Sequence, residues 1–379
     1  MVVLPCLPCL LVCVLMPLSG GAQPSAPPDT TKAAAAADTV PKVAFGAFID
    51  SYYAWDFDRP YDFDRAYTTQ PARHAEFNIN LAYLEAKLTA PSFRGRLALQ
   101  FGTSVQANYA AEPRIGGISG PSVSQYLQEA TAGYKLSSTL WIDGGIFAAH
   151  TGYEGWISRD NLTYSRSLMA DFSPYYEAGV KLTWTPSTAV TAQFDVLNGW
   201  QDISNYNTPP ALGARVDYMV SPVLTLSYDN FIGNVAPDSA IPRVRFYNDW
   251  IAQYNPTGRW QFAAVFDLGL QSRTASDAGT ATWYGAALIG KYHPTPKVGI
   301  VGRVERYADP SRAIVQTNLP ATFAVSGASL GVDVDPVPRI LWRTEARGLR
   351  GDQPVYPLHH AGEYSRNDGF VVTSLALTI

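Results

Sequence analysis

The sequence predicts an all-β fold: a single transmembrane antiparallel up-and-down β-barrel of about sixteen strands over residues 43–379. Two observations carry this, a rhythm of turns and a period of two within strands. Tight connections recur at Ala90-Pro91-Ser92, Ser137-Ser138, Pro186-Ser187, Ser221-Pro222, Asn255-Pro256-Thr257-Gly258, His293-Pro294-Thr295-Pro296 and Asp335-Pro336-Val337-Pro338. Between them the chain has room for a strand, a longer polar loop and a returning strand. The loops fall near 56–74, 108–124, 150–173, 199–210, 234–242, 272–280, 308–321 and 351–367. Seven turns and eight loops require sixteen strands, with both termini on the turn side. Short periplasmic turns and long extracellular loops are the layout of a bacterial outer-membrane barrel.

Within the strands, successive side chains alternate between faces. From Leu97 one face reads Leu97, Leu99, Phe101, Thr103, Val105, and the other Arg96, Ala98, Gln100, Gly102, Ser104, Gln106. Tyr176, Ala178, Val180, Leu182 and Trp184 oppose Tyr175, Glu177, Gly179, Lys181 and Thr183. Trp260, Phe262, Ala264, Phe266 and Leu268 oppose Gln261, Ala263, Val265, Asp267 and Gly269. The polar face carries Gly, Gln, Arg, Lys and acids, which suits a wet lumen better than the solvent face of a soluble sandwich. Runs of about 9–12 residues match tilted strands crossing a bilayer.

Aromatic residues make up 12% of the chain, and Tyr52, Tyr53, Trp55, Trp184, Trp200, Trp250, Tyr254, Trp260 and Tyr292 fall near expected strand ends. Girdles at the two membrane interfaces account for them. A net charge of −4 offers no basic stripe for nucleic acid. Residues 1–22 read as a signal peptide: Val2 to Leu18 is apolar and Gly20-Gly21-Ala22 supplies small residues for cleavage, although no Lys or Arg precedes the apolar run. Cys6, Cys9 and Cys13 all lie within it. The mature chain is then cysteine-free, without disulfides, thiolate catalysis or Cys-ligated metals. Residues 23–42 are low-complexity and read as a disordered periplasmic tail.

The segments AEFNINLAYLEAKL (75–88) and GRLALQFGTSVQANYAAEP (95–113) resemble the OmpL-like outer-membrane porin family. So do IDGGIFAAHTGYEGWISRDNLTYSRSLMADFSPYYEAGVKLTWTP (142–186) and VLNGW (196–200). The resemblance spans roughly 43–240 and implies a single barrel in the bacterial outer membrane and passive passage of small solutes; it implies no ligand. The partners expected are outer-membrane lipid and lipopolysaccharide, the barrel-insertion machinery and small solutes, with a homo-oligomer left open. One departure concerns that machinery. Barrels of this kind usually end in an aromatic residue, whereas this chain keeps its alternation to the end with Leu375, Leu377 and Ile379.

Motifs that suggest chemistry fail on context. Gly327-Ala328-Ser329-Leu330-Gly331 matches the nucleophile elbow G-x-S-x-G, which needs a sharp strand-to-helix turn. Here Leu330, Val332 and Val334 carry a strand's alternation straight through it. His359-His360 has no acid at ligand spacing, and no metal or cofactor is expected. Asp56-Phe57-Asp58-Arg59 recurs as Asp62-Phe63-Asp64-Arg65 in the first loop and reads as self-paired, solvated charge.

The informative charges face inward. The strand at 297–307 directs Arg303 and Glu305 to the polar side, the next directs Asp333 there, and 339–349 directs Arg343, Glu345 and Arg347. An arginine on the lipid face at mid-membrane costs about 2–4 kcal/mol, which forces these inward. Arg96, Glu129, Lys135, Glu177 and Lys181 complete the expected pore-lining set. Arg303 and Arg343 are expected at similar height in one sector of the lumen. They act there either as a selectivity site or, paired with carboxylates, as a brace.

These readings converge on a channel for passive diffusion of small hydrophilic solutes or ions, without bond chemistry. Sixteen strands enclose a water-filled lumen, where eight would fill with side chains. A closed barrel serving as adhesin or structural anchor is the main alternative, and an enzyme on a barrel scaffold a weaker one. A long loop folded inward separates them. The segment 150–173, with Tyr153, Trp156, Leu162, Tyr164, Leu168, Met169 and Phe172, is too apolar for a freely solvated loop and is expected to order against the mouth or lumen.

Overall fold

A computed structural model describes residues 40–379 except 119, 274–278, 318 and 320. The expected signal peptide and residues 23–39 of the expected tail lie outside the described residues. Lys42, assigned to that tail, instead opens the first strand.

The strands are β1 (Lys42–Asp56), β2 (Phe77–Thr89), β3 (Phe93–Phe101), β4 (Leu127–Lys135), β5 (Leu140–Ala148), β6 (Tyr176–Trp184), β7 (Val190–Leu197) and β8 (Ala211–Ser221). They continue as β9 (Leu224–Asn234), β10 (Val244–Thr257), β11 (Trp260–Ser272), β12 (Thr280–Thr295), β13 (Val298–Asp309), β14 (Phe323–Val334), β15 (Ile340–Gly351) and β16 (Asn367–Thr378). Each pairs with the next, and β16 closes on β1 from Phe48↔Thr378 to Asp56↔Phe370, so the sixteen strands form a closed antiparallel barrel without an exposed edge. A short ladder of Tyr356–Pro357 against Tyr364–Ser365 sits in the last loop.

Two expected turns are displaced. The chain does not turn at Asn255 or His293; β10 and β12 run on to Thr257 and Thr295, with irregular pairing at Tyr254/Thr257 and Tyr292/Thr295. A proline lacks the N–H that a ladder needs, and a local irregularity tolerates it. Pro256 and Pro294 therefore sit inside strand ends, and the chain reverses at 258–259 and 296–297.

The alternation predicts the two faces well: Leu288 is 61% and Leu330 63% exposed on the outside, while their neighbours Ile289 and Val301 are buried within. It fails above β3. The strand stops at Phe101 rather than running on through Gln106, and Thr103–Tyr109 forms helix α1 with Thr103 and Val105 buried rather than on the outer face. Gly102 makes the departure possible: its φ of 135° suits glycine, and a Cβ there would collide with the carbonyl of Asn80. Tyr176, expected on the outer face, is fully buried and stacks on Tyr109 of α1 with ring centroids 4.2 Å apart.

The interior is substantially filled. The long loop between β5 and β6, here L3 (149–175), enters the barrel. Its one-turn helix Leu168–Asp171 starts where Ser167 Oγ accepts from Ala170 N at 3.3 Å. Leu168 and Met169 then pack among Tyr247, Val265, Trp283, Tyr307 and Phe323, inward residues of five different strands. Absent side chains shape this fit. Gly285 leaves the space that Met169 occupies, since a Cβ would lie 2.5 Å from Met169 Cγ. Gly285→Leu is expected to overpack the contact and lose about 1–3 kcal/mol. The measurement is the temperature at which the compact, fast-migrating form of the detergent-solubilised barrel disappears from unheated gels.

Candidate functional site

A loop inside a barrel leaves the sheet ladder behind, so its buried carbonyls and N–H groups need other partners. Here the wall supplies them. Arg343 Nη1 donates to the carbonyl of Ser158 at 2.6 Å, and its Nη2 to those of Asn161 at 2.9 Å and Leu162 at 2.6 Å. Its Nε and Nη2 also hold both oxygens of Asp333 at 2.9 Å. Arg303 donates to Thr163 Oγ1 at 2.7 Å, to the Ser165 carbonyl at 2.6 Å and to Ser165 Oγ at 3.0 Å. Carboxylates take the complementary role. Glu345 accepts from Ser165 N at 2.7 Å, Glu305 from Leu168 N at 2.8 Å, and Glu154, within L3, from Ser167 N at 2.9 Å. Arg347 completes the cluster by donating to Glu305 at 2.6 Å.

The register corrects one expectation. Arg303 and Arg347 both face Ser329 across β14, while Arg343 faces Asp333, four positions nearer the turns. Arg347, not Arg343, is therefore level with Arg303 on the sheet. Arg303 and Arg343 still meet on Thr163, because L3 runs down this wall. Ser158 Oγ reaches Asp50 at 2.7 Å, and Arg159 comes within 4.0 Å of Asp335 in the last turn.

The base of L3 is locked separately. His150 is buried; Nδ1 lies 2.9 Å from Glu177 and Nε2 2.8 Å from the Asn230 carbonyl, in a space that Gly213 leaves open. Burial pushes the imidazole down, but the Glu177 and Asp195 carboxylates and the Asn230 carbonyl outweigh it and hold its pKa at about 10. Both ring nitrogens then donate. Other loops close around L3. Thr69 of the first loop donates to Asp171 at 2.6 Å, and Glu112 above α1 joins Tyr176 to the N–H groups of Ile203 and Ser204. The repeated Asp-Phe-Asp-Arg is not simply solvated: Asp56 and Arg65, one from each copy, form a buried pair at 3.2 Å, with Arg65 3.6 Å from the centre of the Phe370 ring.

A second cluster went unnoticed as such in the sequence. Asp229, Asp249 and Asp267 are register partners on β9, β10 and β11, and all are buried. Arg215 approaches Asp229 at 3.3 Å and Tyr247 donates to Asp267 at 2.7 Å. The signal was present in Tyr228-Asp229-Asn230, Asn248-Asp249-Trp250 and Phe266-Asp267-Leu268, each an inward acid beside an outward aromatic ring. Among the described residues, no group of three His, Cys, Asp or Glu side chains is arranged to hold a metal ion.

The wall from β2 to β6 differs. Arg96 bridges Glu85 and Glu129, and Arg94 pairs with Asp143. Lys135 lies 5.7 Å from the Trp141 ring and Lys181 4.6 Å from that of Phe147. These ionisable side chains are only partly buried, apart from Asp143. The expected pore-lining set thus divides. Arg303, Glu305, Arg343, Glu345, Arg347 and Asp333 are taken up around L3, Glu177 is spent on His150, and Arg96, Glu129, Lys135 and Lys181 remain on a half-open wall.

Residues 42–378 match the family model described as "Putative beta-barrel porin-2, OmpL-like". The chain belongs to this family. The porin also resembles solved barrels at low identity. Against "Anion-selective porin from Comamonas acidovorans" the TM-score is 0.58 at 11% identity, covering 90% of this chain and 100% of the other. Against the outer membrane channel DcaP of Acinetobacter baumannii it is 0.61 at 11%, covering 90% and 99%. Against Salmonella typhi OmpF it is 0.55 at 12%, covering 89% and 97%. At such identities the likeness is one of fold. No curated protein matches the chain. Family and fold together make the protein an outer-membrane porin-like channel and not an enzyme.

Two outcomes test the anchoring of L3 in the porin. Arg343→Ala leaves Asp333 with Lys291 alone and the carbonyls of Asn161 and Leu162 without these donors. Breaking a buried pair of this kind costs about 3–5 kcal/mol. Limited proteolysis of the folded barrel is expected to cut the variant within 150–173 and spare the native loop; equal protection removes the anchoring role. For His150, a folded pKa of about 10 lies above the ordinary 6.5. The added stability is complete below about pH 6.5 and is lost as the pH rises through about 10. Unfolding midpoints of the native barrel and His150→Gln should therefore differ at neutral pH and converge in strong alkali.

Proposed function

We propose that small hydrophilic solutes diffuse through this porin along the sector bounded by L3 on one side and β2 to β8 on the other. The observation that carries the reading is the unequal burial of charge. Inward ionisable groups on β13 to β15 are buried against L3, whereas Lys87, Arg94, Arg96, Lys135, Lys181 and Asp217 keep solvent contact. Water and solute need a wetted, hydrogen-bonding surface to replace their hydration, and only the second wall offers one. L3 divides the lumen and sets its width on this reading. The outer belt of apolar side chains is in contact with membrane lipid, and exposed arginines of the outer loops such as Arg59, Arg114 and Arg312 face lipopolysaccharide phosphates. A Vibrio cholerae OmpT structure is described as a trimer form, and a homo-oligomer is proposed for this chain as well.

Purified full-length protein in a planar bilayer is expected to give stepwise conductance that grows with salt concentration. Arg343→Ala, by loosening L3, should change the step size or its noise. A folded, inserted barrel that never conducts would leave the closed anchor or adhesin as the better reading.

A further inference from the structure

We propose that the wall from β2 to β6 is an anion-selecting surface, on which Lys87, Arg94, Arg96, Lys135 and Lys181 receive the carboxylate or phosphate groups of the solutes that cross; this rests on the channel reading above. The first observation is an order of exposure within ion pairs. The Lys87 side chain is 53% exposed and its partner Glu85 11%. Arg94 is 38% exposed and Asp143 5%. Arg96 is 19% exposed against 11% and 15% for Glu85 and Glu129. In each of these pairs the base is the more exposed member, widely so for Lys87 and Arg94 and narrowly so for Arg96 over Glu129. A passing ion meets the exposed member first, and the field of the shielded one reaches it weakened by the partner in front.

Lys135 and Lys181 add to the same sign. Each ammonium lies beside an aromatic ring, and the attraction of a ring face for a cation holds the group in place without cancelling its charge. Arginine supplies a planar fork suited to two oxygens of a carboxylate or phosphate, and lysine a mobile point charge, so the wall suits small oxyanions better than bulky neutral solutes.

The remaining charge does not outweigh this. The inward pairs made within β13 to β15 are nearly inaccessible, with side-chain exposures of 0–4%, and the Arg303 and Arg343 guanidiniums already bond L3. Asp229, Asp249 and Asp267 are also out of solvent reach. The order is reversed on β8, with Asp217 at 35% and Arg215 at 20%, and at the last turn, with Asp335 at 45% and Arg159 of L3 at 28%. Asp217, Asp335 and Asp160 of L3 are accessible acids among the described lumenal residues, against five accessible bases on this wall with Arg159 and Arg215 beside them. The accessible field runs across the lumen from β2–β6 toward β8, and its net sign is positive.

The test is the reversal potential of full-length protein in a planar bilayer under a potassium chloride gradient. The native channel is expected to favour chloride, more strongly in dilute salt, where screening extends over about 10 Å or more. Lys135→Glu with Lys181→Glu should move the reversal potential toward the potassium value, and Lys135→Gln with Lys181→Gln should move it part of the way. Asp217→Asn should move it further toward chloride. Inorganic phosphate on one side should reduce chloride current in the native channel and less in the glutamate variant. Retention of the compact form in unheated gels shows that each variant is folded. A conducting channel that favours potassium, or that ignores all three changes, overturns the anion surface and leaves the channel. Absence of conductance at every salt concentration overturns the channel reading itself.

Discussion

The interior of this barrel is organised by the donors that a loop's carbonyls find once they leave water. L3 crosses a space where the sheet has no free N–H to offer, since closure pairs every strand on both sides. Arginine suits the task because it presents several N–H groups in a fixed plane and stays charged when buried. Arg343 spans the carbonyls of Ser158, Asn161 and Leu162 while Asp333 balances its charge. A lysine could hold the charge but not reach that spread of acceptors. The path of L3, the packing of Met169 beneath Gly285 and the open sector beside β2 to β6 all follow from where these guanidiniums stand.

Buried ion pairs are weak evidence for stability, because taking both ions out of water offsets much of their attraction. Their value here lies in position. An apolar wall could pack against Leu168, but it could not satisfy the loop carbonyls, and a loop with orphaned carbonyls would return to water. Such a wall would widen the lumen. The cluster of Arg303, Arg343, Arg347, Glu305, Glu345 and Asp333 is thus better understood as fixing one loop conformation than as adding net stability.

Strand rhythm made much of the fold legible. Short polar turns and a period of two are local properties, and the sixteen-strand closed barrel follows from counting them. What escaped was of other kinds. Alternation names a face but not a register, so Arg343 was placed level with Arg303 although the pairing sets Arg347 there. Thr103 to Gln106 continue a strand-like pattern and still turn into helix, because Gly102 permits a backbone path that the pattern does not encode. Asp229, Asp249 and Asp267 are each unremarkable in one strand and become a cluster only when three strands pair. The apolar content of 150–173 did show that this loop would be buried, yet nothing local indicated that it would descend as far as Asp335.

The same side-chain types do different work on the two walls, and exposure decides which. Coulomb energy scales inversely with the effective dielectric, so a guanidinium enclosed by carboxylates and carbonyls spends its field on those neighbours. One at the edge of a wet lumen is screened by ions but remains available to them. Arg303 and Arg94 both hold acid partners, with side chains 0% and 38% exposed. The first fixes a loop and has no surface left for water; the second keeps solvent contact while its acid is almost fully covered. Charge counting along the sequence treats the two alike, and only the inward path of L3 separates them. The loop therefore does more than narrow the barrel: by covering one charged wall it leaves the other as the charged wall still open to water.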